Sequence, residues 1–354
     1  MAVNHDLQKY LKKHKNAKEY EFLFACCRAA FANASVSFPD DVDADIFLTI
    51  LQRHKLITHL YPLLKECEGI PAGLLQKMQQ LLKKNKLHLL KLSGELARLA
   101  RLFDENRIPW LSIKGPALSV QLYGDVAARQ SGDLDILVKE EDLNKAVSLL
   151  ESIGYHQINN LKLKQRNSYR KHHKDYLFRN DDQSTLIELH WKLSHDWLTP
   201  DDITSLLWNN TDKILIAGEQ IPIPDKTYHL IYLYEHGIRH TWYRLAWLWD
   251  IACAEKARFG GKINHLVFSK EMRYCFITTN NLCRDIFGVE SSEQLDNYSK
   301  SKIKFLDRLA KKSLLYPEKT KTRKMTFLRL RFMVGIQSGF IRKLKSMKRY
   351  LRLV

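Results

Sequence analysis

Lys114-Gly115-Pro116, followed by Arg129-Gln130-Ser131-Gly132-Asp133-Leu134-Asp135-Ile136-Leu137-Val138, is the stretch on which the fold turns. A glycine opens a helix, and proline suits that helix's first turn. Two carboxylates spaced by one residue then begin an apolar strand. Unpaired buried charge is very costly, so two acids at the start of such a strand call for a cation. Together with the glycine turn, they point to metal-assisted phosphate chemistry.

Residues i and i+2 of a strand share a face. Asp133 and Asp135 are therefore expected to project together, with Leu134 and Ile136 facing the core. Convergent carboxylates suit hard divalent cations, and Mg²⁺ is usually bound by one or two carboxylates plus substrate phosphates. A third acid stands in Leu186-Ile187-Glu188-Leu189-His190-Trp191. Ile187, Leu189 and Trp191 form one apolar face, while Glu188 and His190 share the other. If this strand neighbours Leu134–Val138, Glu188 completes a carboxylate triad and His190 supports it. A helix N-terminus offers free N–H groups and a positive dipole end to phosphate, and glycine lets the backbone approach the ligand. Lys114, Arg129 and Ser131 are positioned in sequence to add contacts to a triphosphate.

Working outward, the reading gives helices over Glu19–Ala32 and Asp45–Tyr61, and one or two more over Ala72–Asn106. Leu89, Leu92, Leu96 and Leu99 mark a core-facing stripe at helical spacing. The middle then alternates: a strand over Ile108–Ile113, a helix from Pro116 to about Leu122, the strand Leu134–Val138, and a helix Glu141–Ser152 ended by Gly154. Strands follow over Asp175–Arg179 and Thr185–Trp191, with Asp181-Asp182 as the turn between them. This is a compact α/β (α+β) domain with a small mixed sheet. Helices return after Pro200: Pro222 and Pro224 punctuate the boundary, Tyr228–Phe259 is dense in aromatics, and Ile263–Phe287 and Lys302–Leu315 are further candidates. The expected organisation is an N-terminal helical region (1–84), a catalytic domain (85–198), a C-terminal helical domain (199–315) and a basic tail (316–354).

Composition narrows the class. The chain has 354 residues, 45% hydrophobic and 10% aromatic, which describes a globular protein of more than one domain. No run of eighteen apolar residues appears, so no membrane-spanning helix is expected. Met1–Lys18 lacks the apolar core of a secretory signal. Cys26, Cys27, Cys67, Cys253, Cys275 and Cys283 show no Cys-x-x-Cys pair, which fits reduced thiols of a cytoplasmic protein and argues against a zinc site. The net charge is +18. Ser301–Val354 holds seventeen Lys and Arg against Asp307 and Glu318, a net +15, so the rest carries only +3. A near-neutral body argues against a broad nucleic-acid-tracking surface.

These motifs resemble the nucleotidyltransferase superfamily of the DNA polymerase β type. Within it, they look closest to uncharacterised bacterial nucleotidyltransferases with a Lys-Gly turn. The resemblance rests on Lys114-Gly115-Pro116-Ala117-Leu118, Tyr123, Arg129, Gly132-Asp133-Leu134-Asp135-Ile136-Leu137-Val138 and Glu188-Leu189-His190-Trp191. A later stretch adds Leu233-x-x-His236-Gly237-x-x-His240-x-Trp242-x-Arg244-Leu245-x-Trp247-Leu248-x-Asp250. It covers about residues 85–255. It implies two-metal transfer of an NMP group from an NTP to a hydroxyl, with Mg²⁺ or Mn²⁺ as cofactor. Asp133, Asp135 and Glu188 would be the catalytic and metal-binding acids, and Lys114, Gly115, Arg129 and Ser131 would bind the nucleotide. The sequence does not single out the acceptor, which is open among a protein, an RNA end, a sugar and a small molecule. One departure stands out: Pro116 replaces the serine that commonly contacts the phosphates. That departure gives weight to an alternative, a catalytically inactive binding protein on the same scaffold, recruited to a membrane-associated biosynthetic complex.

Other features have plainer readings beside functional ones. Asp133 alone could cap a loop. His236 and His240 have zinc-ligand spacing, but Gly237 stands where the Glu of HExxH would be, and packing is preferred. His172-His173 reads as a solvated strand start. Trp242, Tyr243, Trp247 and Trp249 sit at helical spacing and suit core packing more than base stacking. Phe340, Leu344, Met347 and Leu351, among Arg342, Lys343, Lys345, Lys348 and Arg349, make a basic amphipathic helix. Packing on the body ranks first for it; peripheral contact with an anionic inner-membrane surface or with RNA follows.

Overall fold

The computed structural model describes residues 5–12, 14–158, 169–170, 173–180, 182, 185–193, 203–259, 269–290, 298–316 and 323–337. The chain divides into two compact units, residues 83–232 and residues 1–82 with 233–354.

The first unit carries a five-stranded mixed sheet and a separate hairpin. Its sheet strands are β1 (Trp110–Ser112), β2 (Leu134–Val138), β3 (Tyr155–Gln157), β4 (Asp175–Asn180) and β5 (Leu186–His190), in spatial order β1-β2-β5-β4-β3. β2 and β5 run parallel; the other neighbours are antiparallel. Helices α6 (Gly115–Tyr123) and α7 (Leu143–Ser152) follow β1 and β2. Leu134, Ile136, Ile187 and Leu189 join one core with Leu89, Leu92, Leu96 and Leu99 of α5 (Ala72–Glu105). The leucine stripe and the strand alternation thus meet in the same apolar layer, where each buried leucine contributes roughly 1.5–3 kcal/mol of transfer free energy. Beyond β5 lie α8 (Ile203–Asn209) and the hairpin of β6 (Thr211–Ile216) and β7 (Glu219–Pro224).

The second unit is helical. It contains α1 (His5–Leu11), α2 (Ala17–Ala32), α3 (Ala44–His54), α4 (Ile57–Lys65), α10 (Leu245–Lys256), α11 (Lys270–Phe287), α12 (Lys300–Leu315) and α13 (Arg323–Ile336). The unit boundaries fall inside α5 and inside α9 (Lys226–Arg239). Lys311 of α12 is buried between Asp285 of α11 at 2.6 Å and Asp307 at 2.9 Å, an internal ion-pair network. Among the described residues no helix is long and apolar enough to cross a membrane.

Four elements differ from the sequence expectation, the first being β3 (Tyr155–Gln157), an added strand between α7 and β4. The single helix Asp45–Tyr61 is two, because Lys55 takes a left-handed φ of 55° and the N–H groups of Lys55 and Leu56 turn back to Gln52 and Leu51. That is a Schellman end without its usual glycine. The aromatic run after Tyr228 is broken in the same way at Thr241, φ 53°. The region after Pro200 is not purely helical: Ala217 and Gly218, both at positive φ, close the β6–β7 hairpin, as a type I′ turn requires. Pro222 and Pro224 lie within β7 instead of marking a boundary. Asp181, His172 and the stretch from Phe340 to Leu351 lie outside the described residues.

Candidate active site

β2 and β5 build the site. Their parallel register pairs Asp135 directly with Glu188. Leu134, Ile136, Ile187 and Leu189 are taken up by the core, so the alternation sends Asp135, Glu188 and His190 to the other face. Ligand atoms of these three side chains lie within 4.8 Å of one another. Asp135 is 1% exposed and Glu188 is half-buried.

The turn after β1 supplies a cation. The Lys114 ammonium sits 2.5 Å from Asp135 Oδ1. Gly115 follows at φ +65°, and a Cβ there would stand 3.2 Å from the Asp133 carbonyl oxygen. The turn therefore needs glycine twice, for its dihedral and for its approach to the strand start. Pro116 occupies the first turn of α6 and offers no N–H to a ligand.

His190 is wired on both sides. Lys174 Nζ is 3.2 Å from His190 Nδ1. An ammonium only donates, so Nδ1 accepts and Nε2 is the donor. Nε2 is 3.2 Å from Asp135 Oδ1 and 3.4 Å from Glu188 Oε2, and so donates toward the carboxylates. Lys174 also pairs with Asp175 at 2.7 Å. A continuous chain of polar contacts thus runs from Lys114 through Asp135 and His190 to Lys174 and Asp175.

Burial works against both charges of the central pair, and the pair overcomes it. Burial alone lowers the Lys114 ammonium, but Asp135, then Tyr232, Glu188 and Asp133, leave it raised above the ordinary lysine value. Burial alone raises the Asp135 carboxyl, but Lys114 and His190 hold it well below the usual carboxylate range. Asp135 Oδ1 takes both Lys114 and His190, whereas Oδ2 is buried with no partner. An orphaned oxygen on a buried carboxylate, with a second acid as its register partner, is a fit for a hard divalent cation.

The remaining expected residues are placed as follows. Asp133 precedes β2, is half-buried, and its Oδ1 accepts from Ser131 Oγ at 3.3 Å. It lies outside the three-residue cluster. Ser131 Oγ also bonds the Asp133 carbonyl at 3.1 Å, which ties down the strand start. Arg129 is 6% exposed, and its N–H donates to Ser119 Oγ at 3.1 Å. In the helical unit, the rings of His236 and His240 are 4.8 Å apart, and each lies 5.0 Å from Trp247. Trp242 and Trp249 are buried, while Tyr243 and Trp247 are half-buried.

Lys174 and Asp175 escaped the sequence reading. Their place follows from the antiparallel register, which sets Leu177 opposite Glu188 and Asp175 opposite His190 and which the sequence pattern alone does not fix.

Residues 40–273 match the sequence profile of a family described as uncharacterised nucleotidyltransferases. No curated protein matches the chain. Among solved structures, an antigenic nucleotidyltransferase-like protein from Paracoccidioides brasiliensis is 16% identical, over 47% of this chain and 76% of its own, with a TM-score of 0.32. The antibiotic-resistance factor ANT(2'')-Ia is 13% identical, over 56% of this chain and 98% of its own, with a TM-score of 0.36.

Proposed function

We propose, from the premise that this chain belongs to the family of uncharacterised nucleotidyltransferases, that it moves a nucleoside monophosphate from an NTP to a hydroxyl acceptor. The observation that carries the reading is the register pair Asp135–Glu188 on one face of the sheet, with Asp135 Oδ2 buried and without a partner. Asp135 and Glu188 would hold Mg²⁺ or Mn²⁺, with Asp133 at the mouth of the strand. Such an ion would supply Lewis-acid polarisation of the phosphoryl group.

The chain's own groups do the rest. The acceptor oxygen forms a bond to the α-phosphorus, the bond to the bridging oxygen breaks, and pyrophosphate leaves. Glu188, the more exposed of the two paired acids, takes the acceptor proton. The N-terminus of α6, opened by Gly115, and the cations Lys114 and Arg129 face the phosphates, and Ser131 steadies Asp133. His190 holds Asp135 in its orientation. The acceptor is a protein, an RNA end, a sugar or a small molecule.

Incubation with each α-labelled NTP, Mg²⁺ or Mn²⁺ and candidate acceptors tests this, beside an Asp135→Ala control. Label transfer lost in the control is the expected result. No transfer, together with no NTP-dependent thermal shift, refutes it. Pro116 in the first turn of α6 favours one second reading: a binding protein on this scaffold without transfer. It would show the thermal shift and no label.

A further inference from the structure

The proposed metal site has an unusual inhabitant, a lysine. Lys114 Nζ lies 2.5 Å from Asp135 Oδ1, and the lysine side chain is only 12% exposed. His190 Nε2 donates to the same oxygen from 3.2 Å. One oxygen of Asp135 is therefore taken twice by groups of the chain, and the other is unpartnered.

In two-metal sites the ions stand about 3.5–4 Å apart and clamp both the attacking and the leaving oxygens. A carboxylate that holds two ions at that spacing, one on each oxygen, must have both oxygens open. Here only Oδ2 is open. We propose that this site takes a single divalent ion, through Asp135 Oδ2 and Glu188, and that the Lys114 ammonium fills the place of the second.

Charge supports the same count. Asp133, Asp135 and Glu188 all act on Lys114 electrostatically. Three carboxylates are neutralised by one ammonium and one divalent ion. In the absence of nucleotide, a second ion would leave two positive charges in excess beside a buried ammonium, where like charges are poorly screened. Position supports it too. Lys114 is no flexible surface cation: the neighbouring Ile113 N–H bonds the Asp135 carbonyl at 3.1 Å, and the Ser112 hydroxyl donates to the Lys114 carbonyl at 3.4 Å. The turn is fastened to the strand that bears the acid, so the ammonium is delivered by the backbone. Lys114 would then neutralise phosphate charge from inside the fold, as a fixed point charge.

The inference rests on the metal reading of the proposed function, and the two can fail separately. The full-length chain is titrated with Mn²⁺, with and without inorganic triphosphate, and bound Mn²⁺ is followed by electron paramagnetic resonance. The wild type is expected to bind one equivalent and give an uncoupled signal in both conditions. Lys114→Met should bind two equivalents and show a spin-coupled pair, whereas Lys114→Arg should stay at one. Two equivalents or a coupled pair in the wild type overturns the role of Lys114 and leaves the metal reading standing. No bound Mn²⁺ in any form overturns the metal reading itself. One equivalent in a folded Lys114→Met variant also overturns the role of Lys114. If that variant does not fold, the wild-type stoichiometry decides alone.

Discussion

Gly237 sets two effects of opposite sign against each other, and the structure says which wins. It lies inside α9, where replacing glycine by alanine in general gains about 1 kcal/mol of helix propensity. A Cβ at this position, however, would stand 1.8, 2.0 and 2.3 Å from three atoms of the Trp242 ring. Trp242 is fully buried and cannot swing aside into solvent. It is held there by the helix end: the N–H groups of Thr241 and Trp242 turn back to the carbonyls of Ile238 and Gly237, and the ring lies on Gly237 as the apolar contact of a Schellman motif. Gly237→Ala must expel the ring or bend the helix. Losing the packing of a buried tryptophan costs about 3–5 kcal/mol. After the propensity gain, the expected net loss is about 2–4 kcal/mol. Urea unfolding of the full chain measures it, and near-ultraviolet circular dichroism reports the displaced indole. Gly237→Ala/Trp242→Leu should be less destabilised than the sum of its single variants, because the clash is gone. A Gly237→Ala variant as stable as the wild type would refute the reasoning, since propensity would then have outweighed the contact.

Gly115→Ala is expected to cost about 1–3 kcal/mol, from the left-handed backbone and the 3.2 Å approach to the Asp133 carbonyl; an unchanged urea midpoint would count against the close turn. The Lys114–Asp135 pair predicts a two-sided pH dependence. The Asp135 carboxyl is depressed, against burial, by Lys114 and His190. Its contribution is present above the unfolded carboxylate value of about 3.9 and is lost as pH falls through the lower folded value. Lys114 is raised, against burial, chiefly by Asp135. Its contribution is present below the unfolded lysine value of about 10.4 and is lost as pH rises through the higher folded value. Stability measured from pH 2 to 11 should have a shallower acid slope in Asp135→Asn; an identical slope in that variant would sink the assignment.

Where the sequence carried the physical cause in its own residues, the reading matched the fold. β2 was legible to the residue, because Leu134–Val138 is a short apolar run with an acid at a face position. The stripe of Leu89, Leu92, Leu96 and Leu99 was legible because burial at helical spacing leaves a direct trace. The breaks after α3 and α9 were not, since Lys55 and Thr241 occupy left-handed positions where glycine normally signals the end. The β6–β7 turn was hidden similarly, with Ala217 in place of the Asn or Asp that announces a type I′ hairpin. At the candidate site, alternation put Glu188 and His190 on one face, but it also paired Asp133 with Asp135, and Asp133 lies outside the cluster. The wiring of His190 to Lys174 and Asp175 depends on the β4–β5 register, which alternation does not specify.

The β2–β5 register explains why the site and the core cannot be separated. Ile187 and Leu189 must face the same apolar layer as Leu134 and Ile136. Only registers that satisfy this keep β5 beside β2, and the one adopted sets Leu134 opposite Ile187 and Asp135 opposite Glu188. A slip of one residue would turn Glu188 and His190 into the core and bring an apolar side chain beside Asp135. The buried acid would then face Lys114 alone, with no second carboxylate to share a cation. The antiparallel pairing of β1 with β2, Ser112 opposite Ile136, fixes the ammonium by the same means. Hydrophobic alternation on one face of the sheet therefore sets the charge geometry on the other. Core substitutions at Ile136 or Leu189 should for that reason disturb metal binding before they unfold the unit.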